Sequence, residues 1–205
     1  MQESLGGAAE IRVKPVPAPL RWHGPPGRYA VEDGRLRLDG GPGTDLFADP
    51  GGEPPLLTAS FLAFVPVGDF ALSARVDPAL AATFDAGALV LWASDRSWAK
   101  LCLELSPHGV PTIVSVVTRG VSDDANAFAV DPRRTWLRVC RIGAAFAFHA
   151  SDDGTRWSLV RYFALDAGPP AALGFLAQSP TGDGCGVTFD GIRLADPPAD
   201  SRGGD

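Results

Sequence analysis

Short apolar runs, each closed by a turn signal at a spacing of about ten residues, recur along nearly the whole chain, and that spacing is what a sandwich or barrel requires. The stretch "SWAKLCLELS", Ser97 to Ser106, shows the pattern inside one run. Ala99, Leu101, Leu103 and Leu105 alternate with Trp98, Lys100, Cys102 and Glu104, so one face enters a core and the other carries an indole, a cation and a carboxylate. Runs such as "SFLAFVPV", "DFALSARV", "AGALVLWA", "PTIVSVVT", "TWLRVCRIG", "AAFAFHAS", "WSLVRYFAL", "AALGFLAQS" and "GVTFDGIRLA" repeat the theme. The breakers between them, "EDGR", "SDRS", "SPHG", "SDDGTR", "DAGPP" and "SPTGDG", use Asp, Gly, Pro and Ser turn chemistry. A helical apolar period is absent outside "DPALAAT", which reads as one helical turn. The expected fold is all-β, two antiparallel sheets packed face to face as a jelly-roll sandwich.

The 205 residues suit one domain, and the 24 Gly and 19 Pro fit a chain of many turns. Residues 1–15 and 196–205 read as flexible ends rich in Gly, Pro and charge, which leaves 16–195 for the domain. A net charge of −6 with scattered Lys and Arg argues against a nucleic-acid partner. The first residues lack the n- and h-regions of a signal peptide, and no run has the length of a membrane helix. A cytoplasmic protein with no membrane partner is expected. Cys102, Cys140 and Cys185 have no metal or redox spacing and read as buried small hydrophobes.

Four stretches resemble a known family: "GTDLF" at Gly43 to Phe47, "VGDFALSARV", "WAKLCLELSPHGVPTIVSVVTRGVSDD" and "TWLRVCRIGAAFAFHASDDGTRW". They are similar to the domains of unknown function that include a yeast "regulation of enolase" protein, within the concanavalin A-like lectin/glucanase superfamily. The resemblance runs from about Trp22 to Leu194 and is carried by Trp98, Lys100 and Glu104, by Ser115 to Thr118, and by Ser122 and Asp123. It implies a concanavalin A-like sandwich of carbohydrate-recognising ancestry. The chain departs at "FDAG", with Phe84 and Asp85 where the family has D-Q, at Asp124 in place of an aromatic, and at Phe47 in place of Trp.

Reading "SDRS" as a four-residue loop pairs Ala93 with Trp98, sets Leu91 beside Lys100 and Gly87 beside Glu104, and makes Asp85 a diagonal neighbour of Glu104. Trp98 would then stack on a sugar while Lys100, Glu104 and Asp85 bond its hydroxyls. Arg119 and Ser115 are expected on the same free face, with Val114 and Val116 in the core. Ser122 and Asp123 would form the rim in a loop with Asp124, and His149 would point to the free face opposite Phe146 and Phe148. The loop oxygens suit Ca²⁺ in kind, but they lack an EF-hand spacing and turn capping accounts for them, so no cofactor is expected.

The favoured function is a non-catalytic module binding a carbohydrate or polyol. Two alternatives stand beside it. Glu104 and Asp85 could act as a glycosidase pair, although the superfamily's glucanases carry several carboxylates on one strand and this strand has one. The chain could instead be a regulatory protein partner of a metabolic enzyme.

Overall fold

A computed structural model of the chain describes residues 10–130, 134–165, 171–200 and 202, so the "DAGPP" turn and the first nine residues lie outside what is described. The strands in chain order are β1 (Arg21–His23), β2 (Arg28–Glu32), β3 (Arg35–Gly40), β4 (Leu46–Phe47), β5 (Leu56–Leu57), β6 (Phe61–Phe64), β7 (Phe70–Pro78) and β8 (Ala86–Ser94). They continue with β9 (Ser97–Leu105), β10 (Pro111–Arg119), β11 (Val121–Ala129), β12 (Thr135–Ile142), β13 (Ala145–Ser151), β14 (Ser158–Ala164), β15 (Ala172–Gln178) and β16 (Cys185–Ala195). One sheet has the order β1-β6-β15-β8-β9-β10-β11 and the other β14-β13-β12-β7-β16-β3-β2, and every pairing is antiparallel. No helix is found among the described residues, and "DPALAAT" is the end of β7 followed by a turn.

Alternation builds the core between the sheets. Leu89, Leu91, Leu101, Leu103, Leu173 and Phe175 from the first sheet meet Leu72, Val76, Val139, Phe148, Val187 and Phe189 from the second. The packed chain also reaches back beyond the expected boundary at residue 16: Ile11 bridges to Leu20, and Ile11 and Val13 are buried in this core. Asp33 and Gly34, both at positive φ (49° and 75°), form the tight turn between β2 and β3, as the "DG" pair requires.

The β8–β9 connection differs from the sequence expectation. Ser94 pairs with Ser97, so the loop is the two residues Asp95 and Arg96, with a bulge between Trp92 and Ser94 just before it. Trp92 then pairs with Trp98, Val90 with Lys100 and Ala86 with Glu104, one residue out from the expected register. A one-residue slip exchanges the two faces of a strand. Gly87 therefore lies opposite Leu103 and looks into the core, where a β-carbon would sit 2.5 Å from Val187 Cγ1 and 2.6 Å from Val76 Cγ1. Its missing side chain makes room for the other sheet, not for a ligand beside Glu104.

The faces of β10 are likewise opposite to expectation. Val114 pairs with Cys102 and Val116 with Lys100, which places both valines on the outer face of the sheet, while Ser115 pairs with Leu101 on the core side. The segment expected as a loop after β10 is the edge strand β11.

Because Gly87 has backbone geometry open to alanine but no space for it, overpacking governs the outcome. Gly87→Ala is expected to destabilise the fold by about 1–3 kcal/mol in equilibrium denaturation; an unchanged midpoint would contradict this packing.

Candidate functional site

The outer face of the first sheet is laid out in rows by the strand register. Trp92, Trp98, Thr118 and Ser122 form one row; Val90, Lys100, Val116 and Asp124 the next; Ala88, Cys102, Val114 and Asn126 a third; Ala86, Glu104 and Thr112 a fourth. A strap made by residues 41–60 crosses the first two rows. It bridges through Pro42 and Thr44 to Ser179, just past the end of β15, and Ala48 exchanges bonds with Ser122: Ala48 N–H donates to Oγ at 2.9 Å, and Ser122 N–H donates to Ala48 O at 2.7 Å.

At the middle of the strap Asp45 accepts a 3.0 Å bond from Lys100 Nζ, which also donates to Gln178 Oε1 at 2.8 Å. The Lys100 side chain is 3% exposed and that of Asp45 15%. Burial works against the ammonium, yet Asp45 and Glu104 outweigh it, and the pKa of Lys100 is raised. Under the strap Trp98 is fully buried, stacked on Trp92 at 6.4 Å, and its Nε1 has no hydrogen-bond partner. Trp98 is thus a roofed core residue and offers no face to a sugar.

Glu104 lies beyond the strap. It is 8% exposed and no described residue hydrogen-bonds its carboxyl. Burial pushes its pKa up to about 8, opposed by Lys100 and reinforced by Asp124 and Asp45. Asp124 at the rim is raised as well, first by desolvation. Near this end stands Phe84, which the sequence reading did not select: it is 39% exposed and held at φ 69°, a left-handed conformation that is an outlier for a bulky residue. Its N–H donates to Leu105 O, and its carbonyl accepts from Gln178 Nε2 at 3.3 Å. The position of Phe84 just before a predicted strand gave no hint of this backbone.

The remaining candidates are placed elsewhere. Asp85 does not face Glu104: Oδ2 accepts from the Ala81 and Ala82 N–H groups at 3.0 and 2.8 Å, and Oδ1 from Ser179 Oγ at 2.6 Å, so the carboxylate is consumed by the turn before β8. The alternative pairing of Glu104 with Asp85 as acid and base does not form. Ser115, Arg119 and Asp123 sit on the core side of their strands and close the edge of the sandwich. Arg161 on β14 donates to Asp123 Oδ2 at 2.6 Å and reaches Ser115 Oγ at 3.4 Å, while Arg119 donates to Ala164 O at 2.7 Å. His149 is buried on the outer face of the other sheet, 4.0 Å from Cys140 Sγ. Ser122, Asp123 and Asp124 alternate in direction along β11, so their oxygens do not converge on one ion. Cys102, Cys140 and Cys185 are free and buried, and burial raises all three thiols.

This arrangement matches a known family. Residues 22–197 match the family described as "Protein of unknown function (DUF1349)". The chain belongs to this family. A Saccharomyces cerevisiae relative named "Regulation of enolase protein 1" is 26% identical over 177 residues, covering 86% of this chain and 89% of the relative. A crystal structure of a functionally unknown protein from Saccharomyces cerevisiae superposes with a TM-score of 0.80 at 26% identity, over 88% of this chain and 97% of the other. Carbohydrate binding module CBM66 from Bacillus subtilis superposes with a TM-score of 0.53 at 14% identity, over 85% and 95% of the two chains, a likeness of fold. Within the family resemblance, the Asp of "GTDLF" and the Lys of "WAK" are the two partners of the buried ion pair.

Removing one partner of such a pair strands the other charge. Asp45→Ala is expected to cost about 3–5 kcal/mol in denaturant unfolding, and the double replacement Asp45→Leu with Lys100→Met to recover much of it; equal losses in single and double variants would refute the pairing.

For Glu104 the folded state holds the proton more tightly than the unfolded chain. Stability is therefore greatest below pH 4.5 for this group and falls as pH rises to about 8. Thermal unfolding across that range should show Glu104→Gln removing this downward slope; a parallel slope in the variant would rule it out.

Proposed function

We propose that the chain is a non-catalytic binding module for a carbohydrate or other polyol, with the ligand held on the outer face of the first sheet at its Glu104 end. The observation that carries this reading is Glu104 itself, only 8% exposed, whose carboxyl makes no hydrogen bond to a described residue while its oxygens keep access to solvent. A carboxyl at the bottom of a solvent-reached opening is available to a ligand hydroxyl, which would take the place of water there. With its pKa raised to about 8, the carboxyl is protonated at neutral pH and offers one donor and one acceptor, which is the complement of a hydroxyl. Exposed Asp124 and Asn126 form the polar rim, and Phe84 supplies the aromatic surface that Trp98 cannot.

Hydrolysis by Glu104 with Asp85 has lost its geometric basis, since Asp85 is bound within its own turn. The likeness of fold to a carbohydrate binding module supports the binding class. The name of the yeast relative supports a second reading, contact with a metabolic enzyme. Three buried free thiols support a cytoplasmic setting.

Calorimetric titration with a panel of neutral oligosaccharides tests the proposal. Wild-type binding should weaken as pH passes about 8. Glu104→Ala should lose about tenfold or more, whereas Glu104→Gln, which keeps a donor and an acceptor, should bind and lose the pH dependence. No binding by any saccharide, together with binding to purified enolase, would give the second reading the place of the first.

A further inference from the structure

A depression of about 560 Å³ opens where the ends of β3, β15 and β16 meet the segment from Trp22 to Arg28. It is separate from the Glu104 end. The strap runs between them, with Thr44 and Thr58 lining the depression while the intervening Asp45 binds Lys100.

Its floor is peptide backbone because three glycines permit close approach. A β-carbon on Gly40 would lie 2.7 Å from the Ala177 carbonyl; one on Gly184, 3.0 Å from Gly40 O; one on Gly186, 3.1 Å from Arg37 Nη2 and 3.3 Å from Asp39 Oδ1. A side chain on Gly40 or Gly184 would collide with neighbouring backbone, and one on Gly186 would displace Arg37 and Asp39. Arg28 and Arg37 both turn Nε toward Asp39, at 3.5 Å from Oδ2 and 3.3 Å from Oδ1. Such exposed pairs are weak and easily rearranged. Both guanidiniums keep donors beyond those pairs, Arg37 Nη2 lying over Gly186, and Asp183, which also lines the depression, is an acceptor. Trp22 provides a half-buried indole wall.

Two guanidiniums balanced by two carboxylates favour no net charge in a ligand. An aromatic wall beside fixed donors and acceptors suits a ring with an apolar C–H face and vicinal hydroxyls. We propose that this depression is a further binding site, for the terminal unit of a neutral oligosaccharide, with Trp22 stacking on the ring and Arg37, Asp39 and Asp183 bonding its hydroxyls. The assignment stands independently of the Glu104 reading.

Amide and indole NMR spectra of the full chain, titrated with short neutral oligosaccharides and with matched uronic-acid and phosphorylated sugars, test it. Neutral sugars should shift the Trp22 indole N–H and the amides of Gly40, Gly41 and Gly184. Arg37→Ala and Asp183→Asn, both at exposed positions that leave the fold intact, should each weaken that response about tenfold. Glu104→Ala should leave it unchanged. Shifts confined to residues near Glu104 and Phe84 would overturn this site while leaving the other standing, and a response to the acidic or phosphorylated sugars alone would overturn the neutral assignment.

Discussion

A lysine in the middle of a covered sheet face has to be paired, and the geometry of this molecule's outer face follows from how Lys100 is paired. Neither neighbour across the ladder is a carboxylate: Val90 and Val116 flank it. The counter-charge comes instead from Asp45, far away in sequence, so the strap carrying Asp45 is drawn over the sheet. Removing the Asp45 carboxylate with the strap still in place would leave a desolvated ammonium without its counter-charge. With the strap fixed, Leu46 joins Trp98 in the outer apolar cluster and Ala48 meets Ser122. The face is thereby divided into a roofed part, where the indoles lie, and a remainder ending at Glu104.

The same parity explains where other polar side chains went. On β10 and β11 each residue on the Lys100 side alternates with one on the core side, and Ser115, Arg119 and Asp123 fall on the latter. At an interior strand that would be untenable for charges. Here the sheets end, and Arg161 reaches from β14 across the gap to bond Asp123 and Ser115. Residues that look in sequence like the rim of a groove serve to hold the two sheets together at one edge.

The architecture was legible because leucine alternation and turn residues report locally on strands, and the Leu101–Leu103 face lies in the core as the pattern demands. The family motifs were legible too, though their spacing does not reveal that Asp45 and Lys100 touch. What failed was parity and context. "SDRS" admits a two-residue turn with a bulge as readily as a four-residue loop, and the difference of one residue moved Asp85 and Gly87 away from Glu104. β11, "VSDDANAFA", is poor in β-branched residues and forms because β10 offers an edge to pair with. The strained backbone at Phe84 depends on contacts to Leu105 and Gln178 that no local sequence rule encodes.

The chemistry of Glu104 and its neighbours bears on the choice between catalysis and binding. A glycosidase needs an acid and a second carboxylate flanking the scissile bond. Glu104 has the raised pKa of an acid, but Asp85 is locked in its turn and Asp45 is committed to Lys100. Lys100 cannot serve as a base in their place, because its own pKa is raised and its proton is held by Asp45 and Gln178. With Asp85 and Asp45 engaged elsewhere, Asp124 at the rim is the carboxylate left near Glu104 among the described residues, and a protonated Glu104 can exchange hydrogen bonds with a ligand hydroxyl. That exchange is what the proposed recognition of a hydroxylated ligand draws on.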